Sequence, residues 1–340
     1  MSLQDCRLRI LDGMLNLVWS QWTTMGVMGN AGISRRWILD PEALVLFTCE
    51  IGRYEARVFD SMIDWLVINQ RFLNVQRLKT INKRENFAGE ALLASIANVL
   101  MKPSTEAKWK RLSREIRKNG LIGEPLFYLK NGKPHPQIGE KDEFFSKTGF
   151  NRNVVKLRNV SETFDHRIPA NLILKLRALF GVSSRCEVIA YLLTHEEANP
   201  TAIASSAGYN SKTIYNTLNE LHGSGGFNRR ISGRETLYSL ESDSWKRFLG
   251  YTEDMPGWIN WPVAFRSLEM LWKTLDDPRL AIEAPRVAAS QLNLVLADVL
   301  PRLQEAVPEY SRHSHLFHNK GNLDSEELCD LIEDIVSYLQ

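Results

Sequence analysis

RCEVIAYLLTHEEANPTAIASSAGYNSKTIYNTLNELHGSGGFNRRISGRETLYSL, residues 185–240, reads as three helices followed by a β-hairpin. Arg185–Thr194 is apolar enough to be a core helix, and a short helix follows around Thr201–Ala207. The Gly208-Tyr209-Asn210 corner then leads into a helix over Ser211–His222, glycine supplying the left-handed geometry a tight turn needs. In that helix Ile214, Leu218 and Leu221 recur on one face, where Ile203 and Ala207 of the preceding helix can meet them. Small residues at Ala204 and Ala207 let the two helices cross closely. From Phe227 to Leu240 the pattern predicts a hairpin turning at Ser232-Gly233.

That order of elements is a winged helix-turn-helix, a compact way of holding one helix in a DNA major groove while a hairpin reaches a neighbouring phosphate or minor groove. Packing accounts for the inner face of the helix. Its outer face carries Lys212, Thr213, Tyr215, Asn216 and Asn219, with Ser211 at the cap. Such side chains suit base edges: Asn pairs with adenine at two points, Lys with guanine, and the Thr methyl meets the thymine methyl. Arg229, Arg230 and Arg234 flank the hairpin tip, placed to clamp phosphates or enter a minor groove. Between Asn199 and Arg234 these arginines and Lys212 face a single acidic residue, Glu220, which favours a polyanion.

Through "RCEVIAYLL", "TAIASSAGYNSKTIYNTLNELHGSG" and "RRISGRETLYSL", residues 184–247 resemble the bacterial winged-helix repressors of the arsenical-resistance and multiple-antibiotic-resistance types. The resemblance implies DNA contact by Lys212, Thr213, Tyr215 and Asn216 and by the wing arginines. It covers a minor part of the chain and brings no metal-ligand cluster of the arsenical type.

Around this stretch the expected fold class is mainly α: a multidomain helical protein containing a winged helix-turn-helix domain with a small β-hairpin wing. Residues 1–118 form an N-terminal helical domain, with Asp40-Pro41 starting one helix and Ser104 capping a last basic one that reaches Lys118. Residues 119–169 are an irregular linker, rich in glycine and proline, with a possible hairpin closed at Asn131-Gly132 and apolar anchors such as Phe145 and Phe164. The winged domain occupies 170–250, entered through a helix over Asn171–Phe180. Residues 251–340 form an acidic C-terminal helical domain. Its 7 Lys and Arg against 15 Asp and Glu contrast with 18 against 12 in residues 1–120. A chain of this asymmetry can offer a basic face to a polyanion and keep its acidic part turned away.

Chemistry of other kinds finds no motif. No Walker-type glycine loop, G-x-S-x-G elbow, H-E-x-x-H or paired C-x-x-C is present, so no catalytic residue, cofactor or metal is assigned and no enzyme is expected. His313, His315 and His318 with Cys329 have no familiar ligand spacing. Asp60 with Asp64, and Asp276 with Asp277, fit solvated helix faces and turns. Trp258, Trp261, Phe265 and Trp272 suit a core or a dimer interface better than a ligand pocket. Cys6, Cys49, Cys186 and Cys329 read as buried free thiols in a reducing compartment, and no secretory signal or membrane span is expected, so the chain is placed in the cytoplasm of a bacterial-type cell. The resulting expectation is a transcriptional regulator that binds double-stranded DNA as a homodimer, with a small-molecule or protein effector. The rival is a protein-interaction scaffold or defence/toxin-associated partner that uses the same module for protein contacts.

Overall fold

A computed structural model describes residues 3–114, 123–251, 255–308 and 323–340. Six helices occupy the first part: α1 (Leu3–Thr24), α2 (Pro41–Ile51), α3 (Ala56–Asn69), α4 (Val75–Glu85), α5 (Glu90–Leu100) and α6 (Glu106–Ser113). The Asp40 carboxylate caps α2 by accepting from the Ala43 N–H (3.1 Å), and Pro41 fits the first turn, where no backbone donor is required. The cap of α6 is Thr105 rather than Ser104, and the end of that helix as read, with Arg117 and Lys118, falls outside the described residues.

Every residue of α2 is buried. A helix hidden on all sides needs cover all round, and the cover explains how the two ends of the chain meet. Residues 261–339 supply α13 (Trp261–Leu275), α14 (Pro285–Ala306) and α15 (Ser325–Leu339), which follow helices α7 to α12 given below. Helix α13 lies on α2, with Phe265 stacked on Phe47 (ring centroids 4.5 Å apart), while α15 lies on α1. Side chains from Cys6 to Leu339 thus share one apolar core, where two separate helical domains, 1–118 and 251–340, were expected. Trp261, Phe265 and Trp272 are part of it. Cys6 and Cys329 are joined in a disulfide across α1 and α15, correcting the expectation of four free thiols; Cys49 and Cys186 remain free and buried. No described helix is long and apolar enough to cross a membrane.

The irregular segment packs on this core through Leu126, Phe145, Phe150 and Phe164. It contains α7 (Glu143–Lys147) and a short parallel pair, β1 (Glu124–Pro125) with β2 (Phe150–Asn151). The turn at Asn131-Gly132 forms as expected, closed by the Gly132 N–H on the Leu129 carbonyl (2.8 Å). Asp64, expected on a solvated face, is buried and accepts three successive N–H groups from Asn159 (2.6 Å), Val160 (3.1 Å) and Ser161 (3.0 Å). Burial opposes its ionisation, but those donors prevail and hold the carboxyl below the ordinary range. Asp64 therefore fastens a loop.

Residues 172–249 hold a second core, built from α8 (Leu172–Phe180), α9 (Ser184–Thr194), α10 (Pro200–Ala207), α11 (Ser211–Gly223), the hairpin β3 (Phe227–Ser232) with β4 (Glu235–Leu240), and α12 (Ser242–Leu249). The molecule is mainly helical.

Between the two cores lies a buried ionic network. Arg177 of α8 grips both oxygens of Glu42 on α2 (2.7 and 2.8 Å) and one oxygen of Glu187 on α9 (2.6 Å). Arg77 of α4 bonds to the other side of Glu42 (2.6 Å), to Asp40 (2.7 and 2.5 Å) and to the Ala207 carbonyl at the end of α10 (2.7 Å). Tyr209 donates to Glu187 (3.1 Å) and accepts from Asn74 (3.0 Å). None of these five ionised groups is more than 8% exposed.

Removing one partner of such a network leaves its counter-ion buried and unpaired, at a cost of about 3–5 kcal/mol. Arg177→Met is expected to lower stability by about that amount, measured by urea denaturation at neutral pH. Burial alone would raise the Asp40 carboxyl, but Arg77 outweighs it and holds the group below its usual range. A folded value below the unfolded value of about 3.9 means that this contribution is complete above that pH and is lost as pH falls further. Arg77→Met should accordingly blunt the acid-side loss of stability.

Candidate nucleic-acid interface

Helix α10 begins at Asn199, whose side chain accepts from the Ala202 N–H (2.8 Å), with Pro200 in the first turn. It ends at Gly208, which takes φ +73°. The arginines of α4 hold that end: Arg77 reaches the Ala207 carbonyl and Arg84 the Ser205 carbonyl (2.9 Å), a placement the negative end of the helix dipole favours. Trp258 adds a bond from its indole N–H to the Ser206 hydroxyl (2.6 Å). Helix α11 then starts from Asn210, the residue that caps it, in place of Ser211 as expected; its side chain accepts from the Thr213 N–H (2.8 Å) and hydroxyl (3.0 Å).

Ile214, Thr217 and Leu218 bury the inner face of α11. On the outer face Ser211, Lys212, Tyr215 and Asn216 are exposed, Tyr215 by half of its surface. Thr213 is half-buried and spent on the cap. Asn219, also half-buried, accepts a hydrogen bond from the Tyr238 hydroxyl (2.9 Å), which fixes the helix against β4. Burial raises the Tyr238 hydroxyl, with Arg229 working against the rise and Tyr215 adding to it. Asn219 thus ties α11 to the hairpin through β4, where Tyr238 pairs with Arg229 of β3.

The hairpin pairs in register from Phe227 with Leu240 to Ser232 with Glu235, so its two-residue loop is Gly233-Arg234, one position later than expected. Gly233 takes φ +60° at the first loop position, where a type II′ turn requires glycine. A single-residue bridge between Ala198 and Tyr238 adds a third line of backbone pairing and ties the hairpin's root to the start of α10. Beyond Phe227 every residue of β3 is exposed, whereas β4 packs inward through Tyr238 and Leu240. Arg229 and Arg234 are exposed, as is Arg230, but Arg230 is held by Glu197 (2.5 Å). Glu220 is likewise paired, with Arg185 (2.5 Å).

The structure thus leaves Ser211, Lys212, Tyr215, Asn216, Arg229 and Arg234 exposed and engages three of the predicted side chains within the fold: Thr213, Asn219 and Arg230. Their partners, Asn210, Tyr238 and Glu197, were missed. Only Asn210 left a local signal, an Asn three residues before the N–H it caps. No group of three or more His, Cys, Asp or Glu residues able to hold a metal ion occurs among the described residues, and His313, His315 and His318 lie outside them. No protein-family model, curated protein or solved structure matches the chain.

The angle between α10 and α11 rests on Gly208. A β-carbon there would come within 2.9 Å of the Ile81 side chain, on a backbone that already disfavours L-residues. Gly208→Val should lower stability by about 2 kcal/mol or more, because a β-branched residue adds to both penalties. Gly208→Asn, which tolerates the left-handed conformation, should cost less. Thermal unfolding of the two variants side by side checks the order.

Proposed function

We propose that this chain binds double-stranded DNA through a winged helix-turn-helix formed by α9, α10, α11 and the β3–β4 hairpin, and acts as a transcriptional regulator rather than an enzyme. The observation that carries the proposal is the division of α11 into a packed inner face and an outer face whose polar side chains stand exposed beside exposed hairpin arginines. Lys212 and Asn216 are suited to read bases in the major groove. Tyr215 adds a half-exposed ring. Arg229 and Arg234 supply phosphate or minor-groove contacts, and the N-terminal end of α11 can hold a phosphate. Arg230 contributes less, since Glu197 already neutralises it. A two-fold dimer on an inverted repeat would give this module adequate affinity and specificity.

Selection of bound fragments from random duplex DNA, followed by titration against the selected and a scrambled site, tests the proposal. Lys212→Ala and Asn216→Ala should each weaken binding to the selected site by about 1–3 kcal/mol and leave scrambled DNA little affected. Arg229→Ala and Arg234→Ala should weaken both and each reduce the salt slope by about one. Arg230→Ala should do so less. Equal losses on both DNAs for every variant would contradict the recognition-helix assignment. The absence of salt-dependent binding to any duplex would leave α11 and the hairpin as a protein-docking surface.

A further inference from the structure

At the opposite end of α2 from the ionic network, a cavity of about 720 Å³ opens between the start of α1, the turn Gly52–Tyr54 after α2, the end of α13 and the Asn131-Gly132 hairpin. That is the size of a site for a small organic molecule. Tyr54 and Tyr128 give it aromatic walls, their ring centroids 6.0 Å apart.

Nearly all the charge in these walls is matched from within. Arg7 lies over the Trp272 ring (4.9 Å) and bonds through Nε to Asp276 (2.9 Å). The second Asp276 oxygen accepts from the Tyr54 hydroxyl. Arg53 lies over Tyr128 (5.2 Å) and donates to Glu124 (2.9 Å) and to the carbonyls of Leu126 and Pro125 (3.1 Å each). Two charges stand outside this pairing. The Lys133 ammonium lies in the wall with no side-chain partner among the described residues. Glu50 lines the cavity, is only 9% exposed, and its carboxylate accepts no hydrogen bond from any described residue, although it lies in the field of Lys273 and Arg53. A largely buried carboxylate without a protein donor is costly, and the cavity it faces is the direction from which a partner can come.

We propose that this cavity binds a small organic amine, its ammonium group on the Glu50 carboxylate and its apolar or aromatic body against Tyr54 and Tyr128. An anionic ligand would meet Glu50 and Asp276 with both guanidinium groups already engaged and only Lys133 left to offset them, and a metal ion would find a single free carboxylate where it needs several donors. An ammonium group satisfies the unmatched acceptor, and aromatic faces attract the same charge.

Isothermal titration of the full chain with tyramine, phenethylamine and histamine tests this, with 4-hydroxyphenylacetate as the control that keeps tyramine's ring and exchanges its amine for a carboxylate. Saturable binding of at least one amine is expected, and none of the carboxylate. Glu50→Gln should weaken the amine by about tenfold or more, since a charge-assisted bond becomes a neutral one. It should leave the fold intact, because it removes an unpartnered buried charge. Tyr128→Leu should weaken the same amine through its ring. No binding by any of the three amines, equal binding of the carboxylate, or an affinity unchanged in Glu50→Gln would each overturn the proposal. None of these outcomes depends on whether the chain binds DNA.

Discussion

The contact of Glu42 with two guanidinium groups, Arg77 on one side and Arg177 on the other, is the constraint on which the posture of the molecule depends. Apolar surfaces tolerate sliding by fractions of an ångström, because dispersion and burial are non-directional. A buried carboxylate shared between two arginines does not, since each displaced bond leaves a charge in a medium that cannot solvate it. Here the shared groups come from α2, α4, α8 and α9, so the orientation of the 172–249 core on the helical body is set by hydrogen-bond geometry. Hydrophobic residues of similar volume could give equal stability in such a place. What the ionic arrangement adds is a single register.

That register matters for α11. The end of α10 is held by Arg77, Arg84 and Trp258, and Gly208 sits against Ile81, so the turn into α11 is positioned by the body as much as by its own small core. The exposed face of α11 and the exposed strand of the hairpin are thus carried on a fixed platform. Under the proposed function, a pair of such modules on a duplex would have little freedom to adjust to its spacing.

Much of this was legible in the sequence wherever the cause is local. The spacing of Ile214, Leu218 and Leu221, the Asp40-Pro41 start and the Gly208 corner each act within a few residues, and each element stands where its pattern puts it. The one-residue shift of the hairpin loop, from Ser232-Gly233 to Gly233-Arg234, is a matter of which φ the glycine takes, which composition does not specify. Contacts made across the chain left no trace. Cys6 and Cys329 are separated by 323 residues, and Arg77 and Arg177 look like any other surface cations until Glu42 is placed between them. The same holds within the candidate interface, where Asn219 and Arg230 carry the right chemistry but are taken up by Tyr238 and Glu197, neighbours that only the folded chain supplies.

Helix α2 links the two ends of this arrangement. Glu42 near its start anchors the docking network, and Glu50 near its end lines the cavity, eight residues and about 12 Å along one helix. Because α2 is buried throughout, a displacement at one end has no solvent-facing side into which it can relax, and it is passed to whatever is packed at the other. A ligand beside Glu50 would alter the docking of α9 to α11 only to the extent that it bound two postures of α2 unequally, and DNA bound at α11 would then change the ligand's affinity by the same factor. The network around Glu42 sets the size of that coupling: the fewer postures it allows, the more of any strain introduced at Glu50 must appear as lost ligand affinity instead of as movement of α11.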